Sequence, residues 1–189
     1  TAVLVAKLRA ALAGGARVVQ YRNKSTDQAL RRAQAGALLA LCRAAGASFI
    51  VNDDLELALA IAADGLHLGR DDGDIAAARR ALGPSSLLGA SCYNRLELAQ
   101  RALQQGADHV AFGSVFASPT KPGAARAPLA LFGEARRLGV PLIAIGGITV
   151  ENAPQVITAG ADAIAVISAL LDAPRIEERA REFATLFNS

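Results

Sequence analysis

Six times along the chain a glycine is followed closely by a short, mostly apolar run: GARVVQYR from Gly15, GASFIVND from Gly46, GLHLGRDD from Gly65, GADHVAFGS from Gly106, GVPLIAIGG from Gly139 and GADAIAVIS from Gly160. LLGASC from Leu87 is a shorter relative. Each glycine stands where a preceding helix would end on a left-handed residue. Each run has the length of a strand buried on both faces. The stretches between runs, roughly ten to twenty residues each, carry helical patterning. Near-continuous apolar strands alternating with amphipathic helices specify a parallel sheet with helices outside it.

The runs give seven strands: Arg17 to Arg22, Ser48 to Asp53, Gly65 to Gly69, Leu87 to Ser91, His109 to Ser114, Leu142 to Gly147 and Ala163 to Ser168. A helix, Val3 to Ala13, precedes the first of them, although a helix packed on a parallel sheet is normally reached from a strand. The expected fold is therefore α/β, a (β/α)8 TIM barrel whose first strand is absent from this sequence, forming one N-terminally incomplete domain over residues 1–189. Either the sequence begins late or the sheet is an open seven-stranded variant with two unpaired edges, which predicts poor stability and doubtful activity. A doubly wound open sheet is the alternative, but no Gly-rich dinucleotide fingerprint follows the first strand. Ser25 or Thr26, Asp54, Asp74, Asn94 and Thr149 are the expected helix caps, and Pro128 suits a first helical turn. Leu30, Ala33, Ala37, Leu38 and Leu41 are expected on one inner helix face.

Composition excludes several classes of function. At 189 residues and 52% apolar content the chain can bury one sizeable core. No apolar run reaches membrane-spanning length and no signal-peptide layout is present, so the chain reads as soluble and cytoplasmic, with no membrane partner. The net charge is only +3 and the basic residues are scattered, which argues against nucleic acid. Cys42 and Cys92 lack metal-type spacing and are expected as reduced thiols. Small molecules are the expected partners, and a homodimer is compatible with the sequence.

In a barrel of this kind the residues at strand carboxyl ends face the active site. Gln20, Arg22 and Lys24 alternate with Val19, Tyr21 and Asn23, so an amide, a guanidinium and an ammonium share one side of the chain. That trio suits a phosphate or pyrophosphate, the alternative being a basic rim of salt bridges. The second strand ends Asn52-Asp53-Asp54 and the third runs into Arg70-Asp71-Asp72. Carboxylates from adjacent strands facing cations suit Mg2+, with Asp53 and Asp72 as ligands; Asp54 and Asp71 are assigned to helix caps. Gly146-Gly147 and Ile167-Ser168, ending the last two strands, form the phosphate-holding corner common in this architecture. Ser91 offers a hydroxyl to a substrate. The segment from Ser118 to Gly123, SPTKPG, places two hydroxyls and the Lys121 ammonium in a loop suited to covering an anionic ligand. His67 and His109 are expected to be structural, and no Ser–His or Cys–His pair is evident.

Seven motifs in order, VQYRNK (Val19 to Lys24), VNDD (Val51 to Asp54), DGLHLGRDD (Asp64 to Asp72), GAS (Gly89 to Ser91), SPTKPG (Ser118 to Gly123), AIGGI (Ala144 to Ile148) and AVIS (Ala165 to Ser168), resemble the thiamine phosphate synthase family over essentially the whole chain. The resemblance implies a transferase that joins a hydroxymethylpyrimidine diphosphate to a thiazole phosphate and releases pyrophosphate. By the same resemblance Gln20, Arg22, Lys24, Asn52, Ser91 and Lys121 would hold the pyrimidine diphosphate. Asp53 and Asp72 would bind Mg2+, and Ser118, Thr120, Gly147, Ile167 and Ser168 would hold the thiazole phosphate. Arg22, Lys24, Lys121 and Ser91 are the expected catalytic groups, with a closing loop from Ala117 to Ala127 shielding a pyrimidine cation from water. Two positions depart from the family pattern: Arg70 stands for the usual Gln, and Ser118 for the commoner Thr. A thiazole tautomerase of the same fold, which needs no metal, and a non-catalytic phosphate-binding domain are the rival readings.

Overall fold

The computed structural model describes residues 1–69, 72–117 and 126–187. Helix α1 (Ala2–Ala13) leads into β1 (Val18–Tyr21), followed by α2 (Gln28–Ala44), β2 (Ser48–Asn52), α3 (Leu55–Ala60), β3 (Gly65–Leu68), α4 (Ile75–Leu82), β4 (Leu87–Tyr93), α5 (Leu96–Gln104) and β5 (His109–Phe112). The chain continues through α6 (Ala130–Ala135), a 3-10 turn (Arg136–Leu138), β6 (Leu142–Ile145), α7 (Ala153–Ala159), β7 (Ala163–Ala165), α8 (Ser168–Leu171) and α9 (Ile176–Thr185). All seven strands are parallel and ordered β1 to β7 in one sheet, with no hydrogen-bonded pairing of β1 to β7. This is the curled sheet of a TIM-type α/β barrel short of one strand, as the repeat predicts. Among the described residues, no helix is long and apolar enough to cross a membrane.

The repeat has a physical basis at the strand beginnings. Asp64, Asp108 and Asp162 each precede a strand, and each carboxylate accepts the backbone N–H of a residue in the strand before it: Phe49 at 2.7 Å, Leu88 at 2.7 Å and Leu142 at 2.9 Å. The amide of each aspartate returns a bond to the same residue's carbonyl. Three such two-way clamps set the register at the amino-terminal rim. Outward-facing Phe49, Val51, Leu66 and Leu88 pack with Leu38, Leu39 and Cys42 of α2 in one cluster, and Val110, Phe112, Leu142 and Ala144 pack with Phe132 and Val156 in a second. Both cysteines are free and buried, and burial pushes their thiols up, to about 11 at Cys42 and about 12 at Cys92.

Several local expectations need correction. Asp27, not Ser25 or Thr26, caps α2, because its carboxylate accepts the Leu30 amide at 2.9 Å. The buried face of α2 is Gln34, Ala35, Leu38, Leu39 and Cys42; Leu30 and Ala33 are exposed. Arg95 rather than Asn94 stands at the start of α5. Asn152 rather than Thr149 precedes α7, and Pro128 lies before the first turn of α6. Asp54 and Asp74 cap α3 and α4 as expected. Gly65 does not end a helix: it is the first residue of β3, where a Cβ would collide with the Leu87 carbonyl, and Ala62 takes the left-handed conformation in its place.

Candidate active site

The carboxyl ends of β1, β2 and β3 bring the acidic and basic residues together. Beyond β1 the chain is held from behind: the Tyr21 hydroxyl donates to Gln34 Oε1 at 2.9 Å, and Asn23 Nδ2 donates to that same oxygen at 2.9 Å. Asn23 Oδ1 in turn accepts the Ser25 amide at 2.8 Å. This bracket, anchored on the buried amide of Gln34, fixes the outward-facing residues of the strand exit. Gln20, Arg22 and Lys24 project from the opposite side and are exposed. The bracket was missed in the sequence; the signal available was the Tyr-x-Asn alternation, which puts both side chains on the helix side.

Asp53 follows β2 with φ 67, a left-handed conformation that few residues other than glycine, asparagine and aspartate accept. Its amide donates to the His67 carbonyl at 2.9 Å, and its carboxylate accepts from Lys24 Nζ at 2.8 Å. Asp72 lies against it, the two carboxyls sharing a hydrogen bond. Burial works to raise the Asp53 carboxyl, but hydrogen bonds from Lys24 and Asp72 and the charges of Lys24 and Arg22 outweigh it and hold Asp53 below the usual carboxylate range. Burial and then the adjoining Asp53 push Asp72 up, against Lys24 and the Gly69 amide. Two carboxyls whose proton affinities are driven apart in this way carry a like-charge strain that a divalent cation would relieve, and an all-oxygen donor pair suits Mg2+. Among the described residues no group of three or more His, Cys, Asp or Glu side chains is set to hold a metal. Asp54, by contrast, caps α3 and pairs with Arg31. Tyr93, at a register shift in β4, brings its hydroxyl to 3.8 Å from where a Cβ on Gly69 would stand, a neighbour not expected from the strand pattern.

Asn52 ends β2, paired in register with His67, and both are inward-facing. Ser91 is half-buried on β4, and His67 Nε2 lies 2.9 Å from its Oγ. The expected absence of a Ser–His pair is thus corrected. The pair spans two strands, and the register that joins it cannot be read from either strand alone. Burial, and next the neighbouring His109, lower His67 to about 4, so the ring is neutral near pH 7.

At the far side of the rim, Gly147 (φ 65) follows β6, its carbonyl accepting from Asn152 Nδ2 at 3.0 Å, and it packs so closely on Phe116 and Ala117 that a Cβ would collide with them. Ile167 is exposed, and Ser168 opens α8. Ser118, Thr120 and Lys121 lie outside the described residues, as do Arg70 and Asp71 and most of the loop from Ala117 to Ala127.

Comparison with known proteins identifies the family. The family model described as thiamine monophosphate synthase matches residues 1–170. The thiamine-phosphate synthase of Methylobacillus flagellatus is 59% identical over 188 residues, covering all of this chain and 90% of that protein. The thiamine-phosphate synthase of Chromobacterium violaceum is 60% identical over 186 residues, 98% of this chain and 90% of that protein. Among solved structures, thiamine phosphate pyrophosphorylase from Pyrococcus furiosus superposes with a TM-score of 0.89 at 34% identity, covering 97% of this chain and 89% of that one. The chain belongs to the thiamine monophosphate synthase family.

Proposed function

We propose that the chain is a thiamine-phosphate synthase, a transferase that joins 4-amino-5-hydroxymethyl-2-methylpyrimidine diphosphate to 4-methyl-5-(2-hydroxyethyl)thiazole phosphate and releases pyrophosphate. The observation that carries the reading is the meeting of Lys24, Arg22, Asp53 and Asp72 at one rim. Asp53 and Asp72 would hold Mg2+, which supplies positive charge to a leaving pyrophosphate. Residues 1–189 would form one cytoplasmic barrel domain, and a homodimer is its proposed assembly.

The chain's own residues account for the chemistry as follows. Gln20, Arg22, Lys24, Asn52, Ser91 and Lys121 bind the pyrimidine diphosphate. The cations among them neutralise charge that grows as the bond from the methylene carbon to the diphosphate oxygen breaks and its electron pair leaves with the oxygen. Ser118, Thr120, Gly147, Ile167 and Ser168 orient the thiazole phosphate so that the thiazole nitrogen lone pair attacks the resulting pyrimidine methylene cation. The loop from Ala117 to Ala127 excludes water from that cation. No protein nucleophile is needed. The buried, neutral His67 beside Ser91 does not imply one, since its ring lies beneath Ser91 in the sheet interior.

The carboxyl pair is also what separates this reading from a metal-independent thiazole tautomerase. The test is a coupled assay with both substrates and Mg2+, in which pyrophosphate and thiamine phosphate should appear together in equal amounts. Substrate binding with no pyrophosphate release would mark a non-catalytic domain, and thiazole isomerisation unaffected by EDTA would mark the tautomerase.

A further inference from the structure

His67 is 6% exposed, and its two ring nitrogens are in unlike positions. Nε2 faces Ser91 Oγ at 2.9 Å, whereas Nδ1 is buried with no hydrogen-bond partner among the described residues. Nδ1 lies over Gly89, where an added Cβ would strike both it and the His109 ring; the two imidazole centroids are 5.9 Å apart. Gly89 therefore makes room for a polar layer directly beneath Ser91.

A neutral imidazole carries one N–H. If the proton were on Nδ1, a buried donor would be left unpaired, a rare and costly state; on Nε2, only an acceptor lone pair is left idle. A doubly protonated ring would strand the same donor. We propose that His67 keeps its proton on Nε2, donates it to Ser91 Oγ, and so turns the Ser91 hydroxyl hydrogen toward the barrel mouth as a donor to substrate. His67 is then a positioning residue acting through Ser91, and the substrate atom opposite Ser91 is an acceptor, a pyrimidine ring nitrogen or a phosphate oxygen, and not an amino group. This deepens the synthase reading and rests on it for the role of Ser91.

The experiment has one arm that needs no activity. In protein carrying 15N-histidine, with the His67 signals assigned by their loss in His67→Gln, Nε2 should show the protonated shift and Nδ1 the unprotonated one; the reverse tautomer overturns the proposal. In the kinetic arm, His67→Leu should raise KM for the pyrimidine diphosphate about tenfold, the effect of losing one neutral hydrogen bond. KM for the thiazole phosphate should stay unchanged. His67→Gln, whose amide can still donate, should recover most of the loss, and adding Ser91→Ala to His67→Leu should cost little more. Fully additive losses, or no rescue by Gln, overturn it. Inorganic pyrophosphate as a competing ligand separates the two acceptors: weaker binding in Ser91→Ala assigns a phosphate oxygen, and unchanged binding assigns the ring nitrogen. Absence of pyrophosphate release by the unaltered protein would sink the synthase reading and leave the tautomer result standing.

Discussion

Acid should destabilise this fold through His67. The imidazole titrates at about 4 in the folded chain against 6.5 when unfolded, so between those values the unfolded chain binds a proton that the folded chain refuses. Stability is therefore complete above pH 6.5, falls as the pH drops toward 4, and loses nothing more to this group below that. The full gap is worth about 3 kcal/mol, of which about 2 kcal/mol is spent between pH 7 and pH 4.5. His109, lowered by burial against the pull of Asp108, acts in the same direction. The carboxylate of Asp53, held below its usual range, gives up its share only at lower pH. Urea unfolding at the two pH values measures the loss. His67→Gln removes the titration while keeping a donor for Ser91, so its stability should fall by about 2 kcal/mol less than that of the unaltered chain over the same interval. Equal losses in the two proteins would show that His67 is not the acid-labile group and that its burial is not maintained in solution.

Asp72→Ala should lower Mg2+-dependent turnover more than about 100-fold while changing urea stability by less than about 0.5 kcal/mol, because the side chain is exposed; activity retained in EDTA would point to the tautomerase. Lys121→Ala should lower kcat about 100-fold, as expected for loss of a group aimed at developing charge, and leave KM for the thiazole phosphate alone; an unchanged kcat removes the loop from the mechanism. Gly65→Ala sets a methyl against the Leu87 carbonyl in the middle of the sheet, so it should cost about 3 kcal/mol in urea unfolding or abolish soluble expression, and near-normal stability would show that β3 and β4 lie further apart than described.

The strands were legible because glycine and an apolar run coincide at each of them, and both signals come from local physics. Helix starts were less so. Ser25, Thr26 and Asp27 are all capping types, and only geometry selects Asp27, whose carboxylate reaches the Leu30 amide. The inner face of α2 was misread because alanine and leucine occur all around that helix, so periodicity is weak there, and the face includes Gln34, a residue whose burial is explained only by Tyr21 and Asn23 from another element. The rim residues could be anticipated one strand at a time from alternation. The His67–Ser91 contact could not, since it depends on His67 standing opposite Gly89 in the register of β3 with β4. The two inward positions and the intervening glycine were the available hint.

Around the ring, the strands are joined by hydrogen bonds everywhere except from β7 back to β1. On the outer layer there, α1 lies on α9 so tightly that a Cβ at Gly14 would meet Glu177 and Ala180, and Lys7 reaches Asp172. Val18 and Ile167, flanking this seam, are 58% and 63% exposed. The two helices, far apart in the sequence, thus couple the β1 flank of the sheet to its β7 flank through side-chain packing. The residues assigned to the diphosphate stand mostly at the β1 side and those assigned to the thiazole phosphate include Ile167 and Ser168 at the β7 side. The α1–α9 contact therefore bears on both groups of residues while touching neither.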